Sequence, residues 1–249
     1  MPRADLPLKS RAVAGERLLG VLLRMPAEEL VEMVAVSGFD FVLIDCEHGP
    51  ADVVELRRHI VLAETHGVEV LVRVGSAEPT LVLRALDQGA SGIVAPHIDG
   101  PDQAKALVDS AHYPPLGHRG FATYSRTGRF GLDDALAHQQ RFTEHTLVIG
   151  MIESPVGVAR AGDIVSVPGL DGIMIGTADL AASSTPADPD PAQSFAAVHA
   201  VLAAQGSLRM DIVPDVARAE AAFANGAQLV VYNLAHTLMT HLFDLRRAH

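Results

Sequence analysis

The chain has 249 residues, of which 49% are hydrophobic, and its formal net charge is −11. This length suits one large α/β domain, and the acidic balance argues against nucleic acid and anionic membranes as partners. The single cysteine, Cys46, excludes an intrachain disulfide and a cysteine-rich zinc site. No apolar run approaches the roughly 20 residues that span a bilayer, and the first residues lack the apolar stretch of a signal peptide. These features predict a soluble cytoplasmic protein.

Short apolar runs alternate along the chain with stretches of helical periodicity. The runs are rich in Val, Ile and Leu and lack clean alternation, which is typical of buried parallel strands. They span residues 18–23, 39–45, 68–74, 92–96, 146–153, 170–176, 207–213 and 228–233. Eight strand–helix units in about 250 residues predict an α/β fold, a (β/α)₈ TIM barrel. A doubly wound sheet with fewer strands is the alternative, because periodicity does not show closure.

The predicted barrel is a single domain over residues 1–249, with a leading segment at 1–16 and a C-terminal helix at 234–249. Two long loops interrupt the alternation. The first, at 113–131, is rich in Gly and Arg and is placed after the fourth strand, and the second, at 183–191, is rich in proline. Long loops in a compact domain are usually functional or disordered, so the first loop is a candidate for substrate contacts.

Ionisable residues stand where the predicted strands end. They are Asp45, Glu47 and His48 after the second run, Arg73, His97 and Glu153 after the third, fourth and fifth, and Asp179 after the sixth. Taken singly, each is explained as well by a helix cap, a loop histidine or a structural counter-ion. The carboxyl ends of barrel strands are where catalytic residues lie, so together these residues predict a polar ring around an active site.

The residue types in this ring favour one kind of chemistry. Carboxylates on neighbouring strands without a His–Cys cluster form a hard oxygen site, which favours Mg²⁺ or Mn²⁺ over zinc. Such a cation polarises the carbonyl group of a 2-oxo acid. Arg73 would stabilise the negative charge on that oxygen, His48 would move a proton, and Asp87 would orient His48. Neither lysine, Lys9 nor Lys105, is placed for a Schiff base, and no glycine-rich nucleotide motif follows a strand. The set predicts enolate chemistry next to a carbonyl.

Five segments together resemble the HpcH/HpaI aldolase family. They are FDFVLIDCEHGP, VLVRV with LRALDQGASGIVAPHID, YPPLGHRGF, GMIESPVGV and LDGIMIGTADL, within residues 15–235. The family comprises class II pyruvate aldolases, among them 4-hydroxy-2-oxoheptanedioate and 2-dehydro-3-deoxyglucarate aldolases. The resemblance implies a divalent-metal-dependent aldolase, a carbon–carbon lyase. Its substrates would be pyruvate or a related 2-oxo acid such as hydroxypyruvate, together with an aldehyde, and its products 4-hydroxy-2-oxo acids.

The resemblance also implies a role for each matching residue. His48 resembles the proton acceptor, Arg73 the transition-state stabiliser, and Asp87 the residue that makes the histidine more basic. Glu153 and Asp179 resemble the metal ligands. The implied substrate contacts are Gly176, Thr177, Ala178, Met151, Thr123 and Asp45. The implied cofactor is Mg²⁺ or Mn²⁺, with Co²⁺ also compatible, and the implied assembly is a homohexamer, for which a dimer of trimers is one arrangement.

Three segments depart from the family pattern beside the expected substrate pocket. Met151 replaces the commoner glutamine, GTADLAASS replaces GPADLSxSxG, and FATYSRTGRFG is bulkier than the usual loop. Two other functions therefore stay open: an oxaloacetate decarboxylase-type lyase on the same site, and a non-catalytic paralogue that binds metal or ligand. An acceptor with a carboxylate tail would need a cation at the rim. The candidates are His97, His118, Arg119 and Arg126.

Overall fold

The computed structural model describes residues 6–25, 27–50, 52–76 and 78–247, which contain a closed barrel of eight parallel strands. The strands are β1 (Leu18–Leu23), β2 (Phe41–Asp45), β3 (Glu69–Arg73), β4 (Gly92–Ala95), β5 (Leu147–Ile152), β6 (Gly172–Ile175), β7 (Leu208–Val213) and β8 (Leu229–Asn233). They follow one another around the barrel in chain order, and β8 pairs with β1. The predicted TIM barrel is confirmed, and the doubly wound sheet is wrong.

Helices surround the barrel. They are α1 (Leu8–Val13), α2 (Glu28–Val36), α3 (Val53–Thr65), α4 (Pro79–Gln88), α5 (Pro101–Ala111), a 3₁₀ helix (Arg126–Gly131), α6 (Ala135–His145), α7 (Pro155–Ala159), α8 (Ala161–Val165), α9 (Thr177–Ser183), α10 (Pro191–Gln205), α11 (Val216–Ala224) and α12 (Leu234–Arg247). Residues 1–5 of the predicted leading segment and 248–249 of the predicted C-terminal helix lie outside the described residues. In the described ranges, no helix combines the length and the apolar character needed to cross a bilayer.

The barrel has an open end and a closed end. At the amino ends of the strands, here called the lower end, Leu8 of α1 is fully buried in the same apolar cluster as Leu43, Leu71 and Ile149 of the barrel interior. The Leu8 amide donates to the Glu69 carboxylate at 3.0 Å. Burying one leucine side chain is worth about 1.5–3 kcal/mol. The α1 helix thus helps to close the lower end, and the carboxyl ends of the strands form the mouth.

Strands β1 and β2 fit together because Gly20 makes room for Phe41. The two residues are register partners, and Phe41 is fully buried. A Cβ atom at position 20 would lie 2.5 Å from the Phe41 ring. The close approach of the ring therefore requires glycine on the neighbouring strand.

The loop at residues 113–131 lies away from the mouth. It follows α5, not β4, and its 3₁₀ helix packs on the C-terminal ends of α3 and α4. Arg126 pairs with Glu64 of α3 and donates to the backbone oxygen of Gln88 at 2.9 Å. Helices α3 and α4 return from the mouth to the lower end, so this loop belongs to the lower end of the same chain.

Helix α12 is amphipathic and stays outside the core. None of its residues is buried, although it touches β1 and β8. Leu234 in its first turn packs partly buried against the core, and five of its other large apolar side chains are between 37% and 63% exposed. They are Leu238, Met239, Leu242, Phe243 and Leu245.

Candidate active site at the barrel mouth

A buried ion pair joins β2 to β3 at the mouth. Asp45 and Arg73 are register partners at the last positions of the two strands. Arg73 donates from Nε to Oδ1 at 2.9 Å and from Nη2 to Oδ2 at 2.6 Å. Burial alone would raise the pKa of Asp45, but the hydrogen bonds and the charge of Arg73 hold this pKa below its ordinary value. Asp45 therefore stays ionised and fixes the plane of the Arg73 guanidinium.

Asp45 also accepts three further hydrogen bonds. Arg24, the residue after β1, donates from Nε to Oδ2 at 2.9 Å. The amides of Glu47 and His48 donate to Oδ1 at 3.2 and 3.3 Å. With both oxygens engaged, Asp45 orients two arginines and the turn that carries Glu47 and His48. The structure does not present Asp45 as a free substrate contact.

Glu47 lies among the cationic and imidazole groups of the mouth. Its Oε2 atom is 3.3 Å from Nε of Arg73, and its Oε1 atom is 3.8 Å from Nε2 of His48 and 3.9 Å from Nε2 of His97. The His48 side chain is 56% exposed, so its ring is accessible from the mouth. The sequence predicted both Glu47 and His97 at strand ends, with no role for Glu47 and with His97 as a candidate rim cation.

His97 holds one oxygen of Glu153. The His97 amide donates to Oε1 of Glu153 at 2.8 Å, and its Nδ1 atom lies 3.0 Å from the same oxygen. His97 has a φ of +56°, in the left-handed region that few non-glycine residues adopt. The other oxygen, Oε2, faces Gly176, where a Cβ atom would collide with it. One oxygen of Glu153 is thus held by the His97 amide and lies against the His97 ring, and the second is left for another partner.

The electrostatics around Glu153 fit a cation. Burial raises the pKa of Glu153 above its ordinary value; the His97 amide opposes this rise, and the negative charges of Asp179 and Glu47 add to it. In the described part of the chain, no three His, Cys, Asp or Glu side chains converge closely enough to hold a metal by themselves. Glu153 and Asp179 would therefore supply two carboxylates and leave coordination positions open, as hard cations such as Mg²⁺ commonly require.

The amides of the predicted carboxylate cradle are not equivalent. The Gly176 amide donates to the backbone oxygen of Ile152 at 3.0 Å and is therefore occupied. Thr177 and Ala178 open helix α9, where the first amides have no partner within the helix. No other described residue accepts a hydrogen bond from these two amides. The cradle within this chain thus consists of two amides, not three.

The floor of the mouth is apolar on the side of β5 and β6. Met151 lies one inward position below Glu153, is buried, and is the register partner of Met174. Ile212 of β7 packs against the same interior cluster. Met151 thus replaces a polar contact with a thioether wall beside the carboxylates.

The structure does not bring Asp87 to His48 within the chain. Asp87 lies in the last turn of α4, and its carboxylate accepts from Nη2 of Arg119 at 2.6 Å. The Arg119 guanidinium lies 4.9 Å from the ring centroid of Tyr113 and 4.4 Å from that of Phe142. No hydrogen bond or ion pair between described residues joins Asp87 to His48. Asp87 belongs to an aromatic cluster beside the lower end.

Thr123 is also remote from the mouth of its own chain. It lies in the 113–131 loop, and its backbone oxygen accepts from the Gly131 amide at 2.8 Å. Three of the four predicted rim cations are engaged elsewhere. His118 pairs with Asp109, Arg119 with Asp87 and Arg126 with Glu64. His97 alone among the four lies at the mouth.

Cys46 has no nucleophilic character. Burial raises the pKa of its thiol to about 12, and the negative charges of Asp45 and Glu78 contribute to the rise. A thiol with this pKa is protonated at neutral pH.

The chain is similar in sequence and structure to known aldolases. Residues 19–240 match the family model described as HpcH/HpaI aldolase/citrate lyase. A pyruvate aldolase of Rhizobium etli is 34% identical over 200 residues, which are 78% of each chain. A hydroxypyruvate/pyruvate aldolase of Sagittula stellata is 31% identical over 256 residues, covering 98% of each chain. A solved structure of an HpcH/HpaI aldolase/citrate lyase family protein from Burkholderia cenocepacia J2315 superimposes with a TM-score of 0.88, at 30% identity, over 97% of this chain and 98% of that one.

Fold, site and relatives together define a carbon–carbon lyase of the class II aldolase type. The chain belongs to the HpcH/HpaI aldolase/citrate lyase family.

Proposed function

We propose that the protein is a divalent-metal-dependent aldolase acting on pyruvate or a related 2-oxo acid, such as hydroxypyruvate, and an aldehyde. In the reverse direction it would cleave a 4-hydroxy-2-oxo acid. The observation that carries the proposal is the buried Glu153 carboxylate, whose Oε2 atom faces Gly176 at the start of the helix that carries Asp179, at a mouth that also holds Arg73 and His48. The relatives named as pyruvate and hydroxypyruvate/pyruvate aldolases support the choice of donor.

Glu153 and Asp179 would hold the cation, for which Mg²⁺ and Mn²⁺ are the first candidates and Co²⁺ is compatible. When bound, a divalent cation supplies Lewis-acid polarisation of the keto group of the 2-oxo acid. The free amides of Thr177 and Ala178 would donate hydrogen bonds to the substrate carboxylate, because a helix N-terminus favours an anion. His97 keeps Oε1 of Glu153 occupied, so the free Oε2 is the atom available as a ligand.

His48 would take the proton from C3 of the donor, since its ring is accessible and bears no close hydrogen bond in the described structure. Arg73 would stabilise the negative charge that develops on the keto oxygen. C3 then forms a bond with the aldehyde carbon, and the proton held by His48 goes to the aldehyde oxygen. In the reverse direction the C3–C4 bond breaks and its electron pair stays with the 2-oxo acid. Asp87 has no part in this transfer within one chain, because it is bonded to Arg119.

Hydrogen–deuterium exchange into the methyl group of pyruvate tests the proposal without an aldehyde. We expect exchange with Mg²⁺, Mn²⁺ or Co²⁺, its loss after EDTA treatment, and its recovery when metal is returned. The Glu153→Gln variant keeps the side-chain size and removes the charge, so it should bind metal poorly and lose exchange. General base catalysis contributes about 10²–10⁴-fold, so His48→Ala should slow exchange by that factor while still binding metal.

Undiminished exchange in EDTA-treated protein would rule out the metal. Pyruvate binding by metal-loaded protein with no exchange would favour the non-catalytic paralogue instead.

We also propose that the protein is a homo-oligomer, a hexamer, in which α12 contacts another copy. A helix whose apolar side chains are all at least partly exposed is an interaction surface, not a stable monomer feature. Light scattering coupled to size exclusion should give a mass of six chains. Replacing Leu242 and Phe243 with aspartate should dissociate the assembly, whereas Thr240→Asp on the same helix should not. A monomeric wild-type protein would contradict this assembly.

A further inference from the structure

The guanidinium group of Arg24 lies at the mouth, and only one of its three nitrogen atoms makes a hydrogen bond in the described ranges. Its single hydrogen bond runs from Nε to Asp45, and its side chain is 38% exposed, compared with 7% for Arg73. Neither terminal nitrogen of Arg24 makes a hydrogen bond or ion pair with a residue in the described ranges. Two N–H edges of Arg24 are therefore available to a ligand.

Neutralising Asp45 does not account for Arg24. Arg73 already matches the charge of Asp45 through two short hydrogen bonds. The other carboxylate beside this pair, Glu47, contacts Arg73 at 3.3 Å and makes no ion pair with Arg24 in the described ranges. Arginine stays protonated at any pH of interest, and its planar fork suits a carboxylate better than a point charge does.

A second free donor belongs to the neighbouring strand β8. Asn233 ends β8 and is the register partner of Leu22, whose side chain lies in the barrel interior. Arg24 is the next inward position after Leu22 along β1. The Oδ1 atom of Asn233 accepts from the His236 amide at 3.2 Å, whereas its Nδ2 group has no partner among the described residues. The inward end of the next strand, β7, is the apolar Ile212.

The two sides of the mouth therefore differ in charge. Glu153 and Asp179 follow β5 and β6, whereas Arg24 and Asn233 belong to β1 and β8. In an eight-stranded barrel with strands in chain order, β1 lies opposite β5. A donor anchored at the two carboxylates would thus have its reaction partner extend across the mouth toward Arg24.

We propose that Arg24, together with Asn233, binds a carboxylate at the far end of the aldehyde acceptor, so that Arg24 determines acceptor specificity. The enzyme then prefers an aldehyde that carries a carboxylate over a neutral aldehyde of the same length. Of the cations that sequence reasoning offered for this purpose, only His97 is at the mouth, and its ring is engaged by Glu153. The inference rests on the proposed aldol reaction and concerns its acceptor.

The test compares kcat/KM for 4-oxobutanoate and butanal, with pyruvate and Mg²⁺ held constant. A charged hydrogen bond is worth enough to favour the carboxylate by about 10–100-fold in the wild-type protein. Arg24→Met should bring this ratio close to one, and Arg24→Lys should leave part of it. Arg17→Met is the matched control, because Arg17 lies before β1 and pairs with the exposed Glu220. Its ratio should equal that of the wild type.

Asn233→Asp provides a second route to the same answer. An aspartate retains the acceptor for the His236 amide and places a negative charge beside Arg24, so the preference for the carboxylate should fall. Each ratio is measured within one variant, and any general loss of activity therefore cancels.

A wild-type ratio near one, or an unchanged ratio in both Arg24→Met and Asn233→Asp, would overturn the assignment of Arg24. Methyl exchange of pyruvate separates this failure from failure of the proposed function. If the wild-type protein exchanges the methyl protons of pyruvate but the variants keep the wild-type ratio of kcat/KM values, only the role of Arg24 is wrong. Absence of exchange in the metal-loaded wild-type protein removes the aldol reaction itself.

Discussion

Two buried arginine–aspartate pairs lie at opposite ends of this barrel. At the mouth, Arg73 donates two hydrogen bonds to Asp45. Beside the lower end, Arg119 donates one hydrogen bond of 2.6 Å to Asp87. The first pair joins two neighbouring strands and the second joins α4 to the 113–131 loop, and each guanidinium is largely shielded from water.

The surroundings of the two pairs differ. Arg119 is enclosed by the rings of Tyr113 and Phe142, so its charge is balanced by Asp87 and by the aromatic faces. Arg73 lies next to Glu47 and feels the charge of Glu153. A buried ion pair alone therefore does not mark a functional site. The mouth differs because it also holds the carboxylates of Glu153 and Asp179, which are not neutralised by an arginine or lysine among the described residues. These carboxylates are therefore available to a cation.

The largest effect is expected on the free energy of unfolding when the Arg119–Asp87 pair is broken. Arg119→Met should lower the free energy of unfolding by about 3–5 kcal/mol, because Asp87 loses its partner in a mostly buried place. Urea denaturation measures this change. The exposed pair of Arg17 with Glu220 is the control, and Arg17→Met should cost only about 0–1 kcal/mol. If a folded Arg119→Met protein lost pyruvate exchange, the Arg119–Asp87 pair would have a role in catalysis, and the distinction between a structural and a functional pair would be wrong.

The corresponding change at the mouth should affect turnover. Arg73→Ala should slow pyruvate exchange by about 10²–10³-fold, the usual cost of removing one group that stabilises an oxyanion. Asp45 retains Arg24 and two backbone amides, so the folded state should persist, which circular dichroism checks. Exchange at close to the wild-type rate would contradict the role given to Arg73.

A smaller effect is expected where His97 holds Glu153. Losing a group that orients a metal ligand typically costs about 10–100-fold in metal affinity. We expect this loss for His97→Gly, which suits the φ of +56° but removes the ring, and for His97→Asn, which tolerates the same φ. Titration with Mn²⁺ followed by electron paramagnetic resonance measures affinity without turnover. If both variants bound Mn²⁺ with the wild-type affinity, the His97 ring would have no influence on Glu153 as a metal ligand.

The smallest effect concerns stability in mild acid and arises below the mouth. Burial, and then the charge of Lys9, lower the pKa of His112 below its ordinary value. As pH falls through about 6.5, the unfolded chain binds a proton that the folded chain does not, so the stability of the folded state decreases. His112→Gln should flatten this dependence between about pH 7 and pH 5. Equal slopes for wild type and variant, measured by urea denaturation, would exclude His112 as the cause.

The fold was predictable because most of the strands are short runs of branched apolar residues bounded by glycine or polar residues, although β7 carries Arg209 and Asp211. The strand ends were predictable for the same reason, since Asp45, Arg73 and Glu153 each interrupt such a run. Arg24 follows β1 in the same way, and the rule that singled out Arg73 would have found it.

Other contacts depend on geometry that the sequence does not contain. Asp87 matches a family motif, but its place in the last turn of α4 puts it on the return path to the lower end. Thr123 lies in the loop that follows α5, and the direction of α5 carries this loop away from the mouth. The contact of His97 with Glu153 depends on a backbone conformation that no spacing rule indicates.

The packing of Gly20 against Phe41 constrains how these two positions can evolve. A larger residue on β1 requires a smaller one on β2, so mutational drift at these positions should be coupled. Distant homologues would then exchange the bulky partner between the two strands while conserving their combined volume. A combinatorial library that randomised either position alone would sample mostly misfolded chains.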